Sequence, residues 1–261
     1  MDTIRNPAVA GLFYPDDRDE LASTVGSFLL DAVGSVTAPK AIIAPHAGYQ
    51  YSGPIAGSAF ASVKPIADRI NRVVLLGPSH RIAFTGLAVS STDAFQTPLG
   101  AIPLDRAAID QILPMEQVIE LDQAHTLEHS LEVELPFLQV VLGKFTLVPL
   151  VVGDASFQEV AEVIDALWGG DETLIVVSSD LSHYLEYRQA QALDARTRRA
   201  IETLQPEAIK PEQACGRIPI GGLLLSARKH GRHATTLDMR SSGDTAGSKH
   251  KVVGYGAYAV H

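Results

Sequence analysis

The feature of this sequence that most limits its fold is a series of apolar runs, rich in β-branched residues, that are continuous rather than alternating. A strand that is apolar at every position is buried on both faces, so its sheet needs a layer of helices on each side. Six runs are predicted as strands: AIIAP (41–45), RVVLLGP (72–78), GLAVS (86–90), FTLVPLVVG (145–153), TLIVVSSD (173–180) and VVGYGAYAV (252–260).

Amphipathic segments between these runs predict the helical layers. They cover residues 16–33, 128–142, 156–168 and 187–204, and an apolar helix is expected at 223–230. We therefore predict an α/β fold with three layers, a central, mostly buried sheet flanked by helices. A length of 261 residues is near the size at which a single core stops growing, so we expect one domain over residues 1–261. The Gly/Ser-rich segment 241–251 is predicted as a loop.

Composition narrows the class of function. The net charge of −9 and the pI near 5.4 disfavour binding to nucleic acid or to an anionic membrane surface. The sequence has no apolar stretch of the roughly 18 residues that a membrane span needs, and its first residues lack the pattern of a signal peptide. We expect a cytoplasmic protein whose partners are small molecules or peptides.

Three of the predicted strands are followed by a histidine. His46 follows strand 41–45, His80 follows strand 72–78, and His183 follows strand 173–180. A single histidine of this kind is usually a loop or capping residue, but ligands of open α/β sheets bind beyond the carboxyl ends of the strands. Since imidazole is the commonest protein ligand for zinc, iron and copper, the repetition indicates a metal site.

Cys215 is the only cysteine, which excludes an internal disulfide. It precedes the glycine-rich start of a predicted helix, and Arg217 lies two residues further on. A helix N-terminus and a nearby cation both favour thiolate, the form that binds metal or attacks an electrophile. Three roles stay open: a buried inert thiol, a metal ligand, or a nucleophile paired with His183 or His46.

A second constellation is the string His125-Thr126-Leu127-Glu128-His129. On a helix, the two histidines would share one face, and the pattern matches the inverzincin signature, in which two histidines bind zinc and the glutamate is the general base. The alternative is helix capping and packing, because the apolar positions that follow fit a core-facing helix. Tyr49 and Tyr51, and the pair Gly243 and Asp244, are interpreted as packing and turn residues.

Several strings taken together, in order along nearly the whole chain, resemble the Memo family, called the B protein of the AmmeMemoRadiSam set in bacteria and archaea. These strings are PAVAGLFYP (7–15), APHAGYQYSGPIAG (44–57), LGPSH (76–80), AHTLEHSLEVELPFLQ (124–139), SSDLSHY (178–184), CGRIPIG (215–221) and VVGYGAY (252–258).

The Memo family is similar in fold to the class III extradiol dioxygenases, non-haem iron enzymes that open catechol rings. The resemblance implies that His46, His80 and Cys215 are metal ligands, with the thiolate in place of a carboxylate. It also implies that His183 is a catalytic acid/base, with Asp180 close by as its orienting partner. Thiolate is softer than carboxylate, so copper and zinc join iron as candidate ions, and ring cleavage does not follow from the fold.

The same resemblance places His125, Glu128 and His129 near the pocket, in contact with substrate or behind the ligands, and Tyr49 is kept as a candidate for the same role beside its interpretation as a packing residue. The function implied is a metal-dependent oxidoreductase acting on a small molecule. A non-catalytic module that binds a peptide or protein partner is one alternative, and a zinc hydrolase built on His125 and His129 is another. The name of the set implies a pathway shared with a radical S-adenosylmethionine enzyme.

Overall fold

The fold of this computed structural model is described for residues 3–33 and 38–261. Within them lie twelve strands: β1 (Ile4–Arg5), β2 (Ala41–Ala44), β3 (Arg72–Pro78), β4 (Leu87–Val89), β5 (Ala94–Thr97), β6 (Gly100–Pro103), β7 (Val118–Glu120), β8 (Thr146–Val152), β9 (Thr173–Ser178), β10 (His183–Leu185), β11 (Ala234–Ser241) and β12 (Val252–Val260). The eight α-helices of the same residues are α1 (Arg18–Leu30), α2 (Tyr49–Ala61), α3 (Arg106–Ile112), α4 (Asp122–Thr126), α5 (Leu135–Leu142), α6 (Phe157–Ala166), α7 (Tyr187–Glu202) and α8 (Arg217–Lys229).

The main sheet is mixed, with a parallel centre. Its order is β10-β12-β2-β9-β3-β8-β4-β7, and β11 pairs with β12. Strands β2, β9, β3 and β8 run parallel, whereas β12 is antiparallel to β2 and β4 is antiparallel to β8. A small second sheet contains β1, β5 and β6. The parallel strands are buried along nearly their whole length, as continuous apolar runs predict.

Helices flank the sheet, and glycines let some of them pack closely. Helix α2 packs against α1, where a Cβ at Gly53 would lie 2.4 Å from the Phe28 ring. Helix α8 packs against α6, where a Cβ at Gly221 would lie 2.3 Å from the Phe157 ring. Both glycines therefore set the distance between neighbouring helices.

The α/β fold with a central sheet flanked by helices is confirmed, as are the six predicted strands, within one or two residues at their ends. The helix predicted over 128–142 is partly wrong, because it covers only α5 and is preceded by a turn and a 3₁₀ segment at Glu132–Glu134. Helix α2 was not predicted, since glycine, serine and Pro54 dominate a segment whose helical form depends on tertiary packing. Whether the chain is one domain stays a prediction.

Among the described residues, no helix combines the length and the hydropathy that a membrane span requires.

Candidate metal centre

The parallel strands bring polar residues to one edge of the sheet. Ala44 of β2 pairs with Ser178 of β9, so His46 and Asp180, each two residues further on, emerge side by side. The Asp180 carboxylate accepts the backbone N–H of His46 at 2.9 Å. His80 follows the end of β3, the strand on the other side of β9. His46 and His80 therefore lie at the same edge of the sheet, as predicted from their positions after the strands.

Cys215 completes a cluster with these two histidines. Its Sγ lies 3.4 Å from His46 Nε2, and one potential ligand atom from each of His46, His80 and Cys215 lies within 4.8 Å of the others. Ligand atoms bound at 2.0–2.3 Å to one ion lie about 3–4 Å apart. The three side chains predicted as ligands could thus hold a metal ion after small adjustments.

A buried carboxylate fixes the tautomer of His80. Glu128 Oε1 lies 2.9 Å from His80 Nδ1, and Glu128 Oε2 accepts the His80 backbone N–H at 2.5 Å. Burial alone would raise the pKa of Glu128, but the hydrogen bonds from His80 and from the Ser130 backbone outweigh it and hold the pKa at about 2. The ionised carboxylate can only accept, so Nδ1 of His80 carries the proton and Nε2 presents a lone pair.

Ser178 and Glu134 fix the tautomer of His46. The Ser178 hydroxyl lies 2.6 Å from His46 Nδ1, 2.6 Å from the Ser130 carbonyl and 2.8 Å from Glu134 Oε1. Burial raises the pKa of Glu134 well above its usual value, so this carboxyl is protonated and can donate. Because the carbonyl accepts the single hydroxyl proton, Ser178 Oγ must accept from both Glu134 and His46 Nδ1. The lone pair of His46 Nε2 therefore faces the Cys215 thiol, whose Sγ lies 3.4 Å away.

His46 and His129 are suited to bind a metal rather than to carry charge. Burial, with additional effects of His80 and His129, lowers the pKa of His46 well below its usual value. Burial also lowers the pKa of His129 to about 4, although the neighbouring Glu128 opposes the shift. Neutral imidazole is the form that coordinates metals.

For Cys215, the expectation that its surroundings favour thiolate is wrong. Burial, reinforced by the charge of Asp180, raises the pKa of the Cys215 thiol to about 12. The Arg217 guanidinium does not offset this, since it packs over the Phe157 ring at 5.0 Å. Without a metal the side chain is a thiol; a bound ion would supply the positive charge that removes its proton.

The two histidines of the cluster line a cavity of about 650 Å³, a size typical of sites for small molecules, whereas Cys215 borders a separate cavity of about 240 Å³. His46, His80 and His129 form one part of its wall. His129 stacks on His80 with ring centroids 4.7 Å apart, and its other neighbour is Phe13 at 4.9 Å. A group of His80, Glu128 and His129 is a second arrangement of potential ligands that shares one residue with the first.

His183 and Asp180 also line this cavity, but they are not joined as expected. The hydrogen bond of the Asp180 carboxylate runs to the His46 backbone rather than to His183. Burial raises the pKa of Asp180 to about 7, and burial likewise lowers the pKa of His183 below its usual value. Asp180 thus orients a ligand-bearing segment, and His183 is a neutral imidazole at the cavity wall.

The string from His125 to His129 does not form a zinc site. Helix α4 ends at Thr126, so the two histidines are not on one helical face. His125 Nε2 lies 3.0 Å from the Ala88 carbonyl, which can only accept, and its side chain borders a separate cavity of about 360 Å³. Of the two histidines, only His129 reaches the predicted pocket, and Glu128 lies behind His80 as the resemblance implied.

Tyr49 packs in the core, as one of its two interpretations predicted, and does not line the cavity. It is 3% exposed, its hydroxyl donates to the Val133 carbonyl at 2.8 Å, and its ring packs against Phe28 and Phe137. Tyr51, interpreted as a packing residue, lines the cavity instead. Tyr49 and Tyr51 lie two residues apart in the first turn of helix α2, so their side chains point in different directions, one into the core and one toward the cavity.

Sequence reasoning missed three residues of the site. Ser178 and Glu134 position His46, and Lys251 lines the far side of the cavity. Glu134 lies among the polar positions of a predicted amphipathic helix, so only its complete burial distinguishes it. For Ser178, a polar residue at the end of an apolar strand was the available signal.

The chain matches the Memo-like protein family over residues 5–259. Similar proteins include a MEMO1 family protein of Aeropyrum pernix, 36% identical over 98% of this chain and 99% of that protein. Another is a MEMO1 family protein of Aquifex aeolicus, 36% identical over 97% of both chains. A third, from Thermotoga petrophila, is 33% identical over 96% of this chain and 97% of that protein.

Among solved structures, the chain is similar to an uncharacterized protein from Escherichia coli K12. The TM-score is 0.51 at 13% identity, and the match covers 82% of this chain and 98% of the other. A likeness at this identity shows a shared fold and nothing about chemistry.

Proposed function

This chain belongs to the Memo-like protein family, and on that premise we propose that it is a metal-dependent oxidoreductase acting on a small molecule. His46, His80 and Cys215 hold one divalent ion, with iron as the first candidate and copper or zinc as the others. The protein acts in the cytoplasm, and a radical S-adenosylmethionine enzyme shares its pathway.

The observation that carries this proposal is that a hydrogen-bond partner at Nδ1 fixes the tautomer of both His46 and His80. Both histidines have Nδ1 occupied, one by the Glu128 carboxylate and the other by the Ser178 hydroxyl. Metal-ligating histidines are oriented in this way, with the second ring nitrogen donating to a carboxylate or another acceptor. Two Nε2 lone pairs beside a partly buried thiol are a donor set that suits a metal.

The donor set also limits the choice of ion. Two imidazoles and one thiolate are too soft for magnesium or calcium and suit iron, copper or zinc. Three protein ligands leave positions open, as in catalytic sites, whereas structural zinc sites are closed by four.

A bound ion would supply a Lewis acid, or an electron carrier if it is iron or copper, at the base of the cavity. His183, neutral because burial lowers its pKa, can accept a proton from a substrate in the cavity. Asp180 holds the His46 backbone in place through its carboxylate. Phe13 and His129 line the cavity together, with their ring centroids 4.9 Å apart.

Metal analysis of protein purified anaerobically tests the proposal, with wild type beside Cys215→Ser and His230→Ala. His230 is an exposed histidine that stacks on Trp168 and does not line the cavity, so it is the matched control. We expect near-stoichiometric metal in wild type and His230→Ala, sharply reduced metal in Cys215→Ser, and, with iron or copper, a thiolate-to-metal charge-transfer band that the serine variant lacks.

No bound metal in the wild type, even after reconstitution, would sink the metalloenzyme proposal and favour a module that binds a peptide or protein partner. Retention of metal by Cys215→Ser, with loss in a His125→Leu variant, would instead favour the zinc hydrolase. A His46→Ala variant that loses metal but still unfolds cooperatively in urea would show that the site, and not the fold, has been removed.

A further inference from the structure

The charged groups around the cavity differ from those of the whole chain. The chain carries a net charge of −9, yet the cavity is lined by four histidines and one lysine against a single carboxyl group. That carboxyl group, on Asp180, is 5% exposed and already accepts the His46 backbone N–H. Lys251 is therefore the permanent cation of the cavity wall, and the imidazoles add groups that donate or accept hydrogen bonds.

Lys251 is the cation of the cavity wall that is free to bind an anion. Lys251 lines the cavity, and within the described part of the chain no carboxylate lies within ion-pair distance of its ammonium group. Its neighbour Lys249 is engaged differently, because its ammonium group lies 4.4 Å from the centre of the Tyr187 ring. Ser242 and Ser248 add hydroxyl groups to the same side of the cavity.

Four aromatic side chains form a large part of the remaining cavity wall. Phe13, Tyr51, Tyr184 and Tyr255 all line it. Tyr184 has a φ of 58°, a left-handed conformation that residues other than glycine rarely adopt, and 71% of its surface is exposed. A large exposed ring held in an unfavourable backbone conformation beside a cavity is a pattern typical of ligand-binding sites.

We propose that this cavity binds a small organic carboxylate with a planar apolar body. The carboxylate pairs with Lys251 and the hydroxyl groups of the segment 242–251, the body lies between the aromatic side chains, and the opposite end reaches His46 and His80. This inference rests on the proposed function, because it names the class of substrate that the same site takes.

A monoanion fits better than a phosphate. Sites for phosphate groups supply several cations or a helix N-terminus with free N–H groups, whereas the segment 242–251 brings one unpaired lysine to the cavity. A single ammonium group with nearby hydroxyls matches the charge and the hydrogen-bonding capacity of one carboxylate.

The test compares probe ligands of one shape and different charge. Binding of benzoate, benzamide and phenyl phosphate to the full-length protein is measured by ligand-observed NMR titration, with the metal loaded and with the metal removed by a chelator. The variants are Lys251→Gln and the matched control Lys249→Gln. Metal content is determined on every sample.

We expect benzoate to bind the wild type more tightly than the other two probes, in both metal states. Lys251→Gln should weaken benzoate about fivefold, the effect of an ion pair worth about 1 kcal/mol, and leave benzamide unchanged. Lys249→Gln should bind all three probes as the wild type does.

Equal affinity for benzoate and benzamide, no detectable benzoate binding, or equal effects of the two lysine variants would overturn the inference. Tighter binding of phenyl phosphate than of benzoate would indicate a site for a dianion and would also overturn the inference. Because the metal-free samples report on the ligand alone, benzoate selectivity in a protein that never binds metal would leave this inference standing while the proposed function fails.

Discussion

His125 and His129 stand four residues apart in one string, yet they lie in two different environments. His125 is 2% exposed, bonds to the Ala88 carbonyl and contacts Phe95. His129 stacks on His80 at the wall of the cavity. Helix α4 ends between them, and Leu127 in the intervening turn is 62% exposed. Two histidines with this spacing can therefore bind one metal ion as a motif only if the segment between them is a single helix.

Arg5 holds this break in place. Its guanidinium donates to the His125 carbonyl at 3.1 Å and to the Glu128 carbonyl at 2.7 Å, and it pairs with the buried carboxylate of Glu132. Glu132 also accepts the backbone N–H of Val9 and the Tyr14 hydroxyl. The His125 side of the string is thus part of a buried polar network that supports the fold, and the His129 side belongs to the site.

The largest effect should come from removing Arg5. Arg5→Met leaves the buried Glu132 carboxylate unpaired, so we expect the free energy of unfolding to fall by about 3–5 kcal/mol in urea denaturation. The control is Arg228→Met, which removes an exposed pair with Glu207 and should cost less than about 1 kcal/mol. Equal losses in the two variants would contradict the structural role given to the buried network.

A smaller effect, on metal affinity, is expected for Glu128→Gln. The neutral amide still accepts a hydrogen bond but removes the charge behind His80, so metal affinity should fall about 10–100-fold. Competition with a chelator measures this loss, and Glu162→Gln on the exposed face of α6 serves as the control. Unchanged metal affinity would show that Glu128 only supports the backbone of the turn.

The smallest effect is expected for His125→Leu. This variant loses the hydrogen bond to the Ala88 carbonyl, and the free energy of unfolding should fall by about 1 kcal/mol while the metal content stays that of the wild type. Loss of metal from this variant without loss of stability would reverse the comparison between the two histidines.

The sequence predicted best what depends on strands. Continuous apolar runs locate β2, β3 and β9, and residues that follow them, such as His46 and His80, are brought together by parallel pairing. This part could be predicted because the direction and burial of such strands follow from local composition.

The parts that failed depend on contacts between distant segments. Helix α2 is rich in residues that disfavour helices in isolation, and it forms because Gly53 lets it pack against Phe28 of α1. Glu134, in a 3₁₀ segment, acts through Ser178 at the end of β9, so nothing near Glu134 in the sequence indicates its role. The raised pKa of Cys215 likewise reflects burial, which the helix start and Arg217 could not reveal.

The pairing of Ala44 with Ser178 has a consequence for how this protein tolerates change. His46 and Asp180 each lie two residues beyond that pair. Their contact therefore depends on the register of two neighbouring strands. A one-residue deletion within either strand would turn the following side chains to the opposite face of the sheet. Insertions in surface loops can accumulate without harm, whereas the lengths of β2 and β9 between their first pair and the site are fixed.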